Sequence, residues 1–157
     1  MNLKKIITTL GFFLLLSCGY EPIYSKKQIN SNYNFSINTI NLIGDNKVNQ
    51  ILKNKLKRNL NKEKKSTEFN LNLNSRVAKA VTSKDKKGNP IRFSIKIIIN
   101  LEVFESEILK GEKNFEEKFE YNNRSNKFDL KQYEKNIKDN LISELSNKII
   151  RYLNSLR

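Results

Sequence analysis

Residues 91 to 103 read IRFSIKIIINLEV, and every second position in the stretch is apolar. Ile91, Phe93, Ile95, Ile97, Ile99, Leu101 and Val103 fall on one parity. Arg92, Ser94, Lys96, Asn100 and Glu102 fall on the other, with Ile98 as the exception. Side chains along a β-strand alternate between its two faces. The stretch therefore predicts a long strand with one dry face and one wet face, reaching about 40 Å at ~3.3 Å per residue.

The same alternation recurs on both sides of this stretch. Upstream, Phe69, Leu71, Leu73 and Val77 oppose Asn70, Asn72, Asn74 and Arg76, and DKKGNP at 85 to 90 supplies the turn chemistry between the two strands. Downstream, Leu109-Lys110-Gly111-Glu112 predicts a turn into a further strand in which Phe115, Phe119 and Tyr121 alternate with charged residues. Its Lys113, Glu116, Lys118 and Glu120 mark it as an edge. Nearer the N-terminus, Phe35 and Ile37 alternate, and Ile40 and Leu42 continue on the other parity, which predicts a first strand with an irregularity near Thr39 that ends at Gly44 and Asp45.

Two segments change to helical spacing. Val48, Ile51, Leu52, Leu56 and Leu60 form one apolar stripe, with Asp45 or Asn46 able to cap it and the basic cluster Asn61 to Lys65 closing it. At the C-terminal end, Leu130, Tyr133, Ile137, Leu141, Leu145, Ile149, Tyr152, Leu153 and Leu156 keep a second stripe, with Asp129 and Gln132 placed as a capping-box variant. From Leu130 to Leu153 this helix spans about 36 Å at 1.5 Å per residue, close to the reach of the long strand. The order is strand, helix, three strands, helix. The first strand and its crossover helix predict a parallel pair, and the remaining strands a meander. Both helices need the apolar face of the sheet, so the expected fold is α+β, a two-layer sandwich of two helices on one face of a four-stranded mixed sheet.

The first 17 residues obey different rules. Lys4 and Lys5 precede an apolar run from Ile6 to Leu16, and Ser17-Cys18-Gly19 follows. That is the arrangement of a secretory signal, residues 1–17, because the run covers barely half of the ~20 residues a membrane-spanning helix needs. Cys18 is the one cysteine of the chain, so an exported product cannot spend it on an internal disulfide. Leu15-Leu16-Ser17-Cys18 resembles the bacterial lipobox, in which the cysteine thiol takes a lipid and cleavage before it frees its amine for a further acyl chain. Acyl chains contribute about 0.8 kcal/mol per buried methylene, and more than one anchors a protein stably. An incidental cysteine after an ordinary signal is the alternative.

Composition narrows the chemistry. The chain has no histidine and no tryptophan, so imidazole metal sites and Ser-His or Cys-His nucleophiles are excluded. No carboxylate pair stands out, and no enzymatic activity, metal or cofactor is expected. The formal charge is +14; removing Lys4 and Lys5 from the 30 basic residues leaves 28 against 16 acidic ones, a net +12. This charge is spread along the chain, and lysine, asparagine and isoleucine together dominate the composition, so no nucleic-acid motif emerges. A surface of this sign attracts anionic lipids or polysaccharide phosphates. Residues 24 to 32 lack periodicity, and 18–32 reads as a lipidated N-terminus and tether ahead of a domain at 33–157.

The residues from Cys18 to Tyr24, CGYEPIY, resemble the CGFxPLY-type start of the lipopolysaccharide-assembly lipoprotein LptE family, with Tyr20 in place of Phe and Ile23 in place of Leu. That family's fold, two helices on a four-stranded sheet in this chain order, is similar to the one expected here. The resemblance implies a non-enzymatic outer-membrane lipoprotein, facing the periplasm, that plugs the LptD-type β-barrel, helps it fold and assists delivery of lipopolysaccharide to the outer leaflet. Its partners would be that barrel, lipopolysaccharide and the membrane through the lipid anchor, with no nucleic acid. A barrel lumen is polar, and Asn70, Asn72, Asn74, Arg76, Arg92, Ser94 and Lys96 supply a polar sheet face; an ordinary solvated face would look the same. For lipopolysaccharide or barrel contact the candidates are Arg76, Lys79, Arg92 and Lys96, with Lys84, Lys86 and Lys87 in the nearby loop. An accessory binding subunit of another envelope complex remains the alternative function.

Overall fold

The computed structural model describes residues 35–58, 65 and 67–156, all within the unit Asn32–Arg157. Its elements are β1 (Phe35–Gly44), α1 (Asn46–Arg58), β2 (Thr67–Lys84), β3 (Pro90–Glu105), β4 (Ile108–Asn122) and α2 (Lys127–Ser155). The sheet order is β1-β2-β3-β4. β1 and β2 are parallel, and the other two pairs are antiparallel. The fold is thus the expected α+β sandwich. The signal, Cys18, the tether, the start of the domain at 33 and Leu60 lie outside the described residues.

The long alternating stretch is the centre of the molecule. In β3 the side chains of Ile95, Ile97, Ile99, Leu101 and Val103 are fully buried against the helices. Each such burial contributes about 1.5–3 kcal/mol. Facing them are Phe69, Leu71 and Leu73 from β2, Val48, Leu52 and Leu56 from α1, and Ile142, Leu145, Ile149 and Leu153 from α2. The helix α1 packs on β1 and α2, while α2 covers β3 and β4. The ends of the alternation are wetter: Ile91 is half exposed where β3 runs past the helices.

The predicted irregularity in β1 is a register shift between Ile37 and Thr39. It allows Phe35 and Ile37, then Ile40 and Leu42, to face the same core although their parity differs. β1 ends at Gly44, whose φ of +101° suits glycine. A Cβ there would lie 1.9 Å from the Ser75 carbonyl oxygen. Asp45 then caps α1, its Oδ1 accepting from the backbone N–H groups of Lys47 and Val48, both at 3.0 Å. Beneath this junction the buried Ser75 hydroxyl donates to Asn49 Oδ1 at 2.6 Å, so the two polar side chains satisfy one another.

Two expectations need correction. The β3–β4 turn is not at Leu109–Glu112 but at Ser106-Glu107, a two-residue loop with φ of 47° and 69° between the paired Glu105 and Ile108. Positive φ at both central residues is the type I′ pattern, whose twist matches the flanking strands. Gly111 lies inside β4 opposite Val103 and serves close packing instead, since a Cβ there would come within 2.3 Å of Tyr152 Oη. The cap of α2 is Asn126 rather than Asp129: its side-chain oxygen accepts from Phe128 N and Asp129 N. That places Asp129 in the first turn, where its charge favours the helix dipole.

Candidate functional site

Both helices lie on one side, so the even-numbered side chains of β2, β3 and β4 look out from the other face of the sheet. Cross-strand pairs set the layout. Toward one end, Asn41, Asn72, Glu102 and Glu112 are in register, and the next rank is Ile43, Asn74, Asn100 and Asn114. These amides are joined: Asn41 Nδ2 donates to Asn72 Oδ1 at 3.0 Å, and Asn72 Nδ2 to Glu102 Oε2 at 3.1 Å. Thr39 Oγ1 donates to Asn70 Oδ1 at 2.8 Å, and Asn114 donates to Asn100. The result is a field of amide groups held in place by bonds to one another across the strands.

Beyond this field the same face becomes charged. Lys96 is paired with Glu116 at 2.6 Å, Lys118 with Glu120 at 2.7 Å, and Arg92 Nε reaches Asn122 Oδ1 at 3.4 Å. The hydrogen bond from Lys118 holds the Glu120 carboxyl below the usual carboxylate range. Arg76, opposite Ile98, lies diagonally next to Lys96, which stands opposite Ala78. Arg76, Arg92 and Lys96 therefore share one face, in two steps along the strands.

Lys79 is on the other side. It follows the parity of Leu71, Leu73 and Val77, so it emerges under α2. Its Nζ lies 2.6 Å from Glu134 Oε1 and 4.6 Å from the centre of the Phe93 ring. Tyr121 Oη donates to the same carboxylate oxygen at 2.8 Å. Burial alone would raise the Glu134 pKa, but the hydrogen bonds from Lys79 and Tyr121 outweigh it and hold the carboxyl below its ordinary value. Burial, and then the bond to Glu134, push the Tyr121 phenol well up. The four candidate cations thus divide into three on the open face and one in a structural cluster beneath a helix.

Thr39, Asn41, Asn100 and Asn114 belong to the open face as much as the predicted residues do. Their signal was present in the strand parity, but in β1 the register shift interrupts it. The pairing of Glu134 with Lys79 carries no signal, because nothing local ties a carboxylate in the first third of a helix to a residue 55 positions upstream. Among the described residues no group of three or more metal-ligating side chains gathers.

No family model matches the sequence, and no curated protein matches it. Solved structures do resemble it. The rare lipoprotein B of Shewanella oneidensis superposes with a TM-score of 0.57 at 11% identity, over 75% of this chain and 95% of its own. A minor lipoprotein of Acinetobacter baumannii gives 0.59 at 11%, over 78% and 92%. A lipoprotein B of Nitrosomonas europaea gives 0.51 at 10%, over 76% and 85%. The chain therefore shares the fold of these lipoproteins across nearly their whole length.

Proposed function

We propose that this chain is a lipoprotein of the LptE type, anchored in the outer membrane through lipid on Cys18, that sits inside an LptD-type β-barrel and assists lipopolysaccharide delivery to the outer leaflet. The observation that carries this reading is the conjunction of a lipobox and LptE-like start, Cys18 to Tyr24, with a domain folded like rare lipoprotein B. The open sheet face supports it. A lumen wall offers polar side chains and water, and a plug meets it best with a pre-ordered, hydrogen-bonding surface such as the ladder from Asn41 through Asn72 to Glu102.

Gentle detergent extraction of the tagged chain from its native envelope is the test. Recovery in a stable complex with a large outer-membrane barrel is expected, together with an acylated Cys18 by mass spectrometry of the mature N-terminus. Recovery of an acylated lipoprotein without any barrel would overturn the plug reading and favour an accessory subunit of another envelope complex.

A further inference from the structure

β2 is a central strand for only half its length. β1 pairs with it from Thr67 to Ser75 and then stops, because Gly44 turns the chain and Asp45 begins α1. β2 itself continues, paired to β3, as far as Lys84. Among the described residues no strand occupies the lane beside Arg76 to Lys84, nine residues or about 30 Å along which the backbone groups of alternate residues point away from β3 into the lane. Ala78, Lys79, Ala80, Val81 and Thr82 are all exposed.

At its inner end this lane meets a groove of about 630 Å³ between the N-terminal halves of the two helices. Val77, the second residue beyond the end of β1, lines it together with Ile51 and Ile142, and Phe128, 75% exposed, stands over it. Lys47, Lys131, Lys135 and Lys138 rim the same groove, against the carboxylates of Asp45, Glu134 and Asp139, so its own charge is close to balanced. The vacant edge carries Arg76 and Lys84 and no acidic residue of its own, Lys79 between them being already paired with Glu134, whereas the β4 edge mixes both signs. An edge of one sign repels a second copy of itself and attracts a strand of the opposite sign.

We propose that the lane beside Arg76 to Lys84 is a strand-addition site for an extended acidic segment of another protein, which continues the β1 position, pairs its backbone with β2 and sets apolar side chains toward the groove at Val77. Backbone pairing supplies affinity in such recognition, and alternate side chains supply specificity. The inference stands independently of the barrel reading.

The test uses the full chain in mild detergent and three nine-residue peptides: one alternating Glu and Val, one alternating Lys and Val, and the first with alternate amides N-methylated. The Glu peptide is expected to bind with amide shifts confined to 76–84 and the groove. The Lys peptide should bind at least about tenfold more weakly, and the N-methylated one should not bind. Replacing the exposed Lys131 and Lys135 by Gln should weaken the Glu peptide several-fold while the fold is kept. No binding of the Glu peptide, indifference to N-methylation, shifts mapping to β4, or self-association of the free chain through 76–84 would each overturn the proposal.

Discussion

Lys79 Nζ and Glu134 Oε1 lie 2.6 Å apart, and they join the far half of β2 to the first third of α2 across the half-buried ring of Phe93. Tyr121 donates to the same oxygen, so one carboxylate ties β2, β4 and the helix together. Glu134→Gln is expected to cost about 1 kcal/mol at neutral pH, below the usual range for hydrogen bonds to a charged group because Lys79 is 42% exposed and solvent screens the pair. The Glu134 pKa is lowered on folding, so its contribution is present above the unfolded carboxylate value and is lost as pH falls through the folded one. Urea midpoints of the parent and of Glu134→Gln should therefore converge on acidification. A gap that stays constant to pH 3 would show that the charge is not what stabilises the cluster.

Gly111 and Tyr152 pack against each other where β4 passes under the end of α2. An alanine at 111 would put its Cβ within 2.3 Å of the Tyr152 hydroxyl and 3.1 Å of Leu156 Cδ2. Tyr152 is held there by an edge-on contact with Phe115 and by Lys113 over its ring. Gly111→Ala should cost about 1–3 kcal/mol through overpacking. Tyr152→Phe removes the clashing oxygen, so the double variant should recover part of that loss. Strict additivity in the thermodynamic cycle would mean that the two positions do not compete for space.

The turn at Ser106-Glu107 places two ordinary residues in left-handed backbone. Asn-Gly is the pair this turn type prefers. Ser106→Asn with Glu107→Gly should raise stability by about 1 kcal/mol, because relief of two left-handed non-glycine residues outweighs the extra backbone entropy that glycine gives the unfolded chain. Thermal unfolding checks it, and no gain would indicate that the strands alone set the turn.

These positions also show what the linear sequence carries. Parity in β2, β3 and β4 is a local property, and it separated the buried Ile97 from the exposed Asn100 without any tertiary information. The turn is not legible because neither Ser106 nor Glu107 favours the positive φ of this turn type: their conformation is imposed by the long pairing on either side, while the nearby Gly111 offers a false signal. Asn126 is hidden as a cap because the apolar stripe begins only at Leu130, a full turn into the helix. Lys79 shares its charge with Arg76 and Arg92 but its parity with Val77, and the parity is what puts it on the helix side.

That division of cations yields the remaining prediction. Arg76 and Arg92 are exposed on the open face; Arg92 reaches Asn122 and acts on the Glu120 carboxylate through its charge alone. Replacing both by Ala should leave the urea midpoint within about 0.5 kcal/mol of the parent, as surface substitutions do. Arginine grips phosphate with a bidentate fork, so the same variant should bind lipopolysaccharide several-fold more weakly if the open face meets it. Lys79→Met should do the reverse, lowering stability by about 1 kcal/mol through loss of the Glu134 pair and leaving lipopolysaccharide binding unchanged. Measuring both quantities on both variants separates the faces: weakened binding in Lys79→Met with full binding in the arginine variant would move the contact surface from the open sheet face to the helix side.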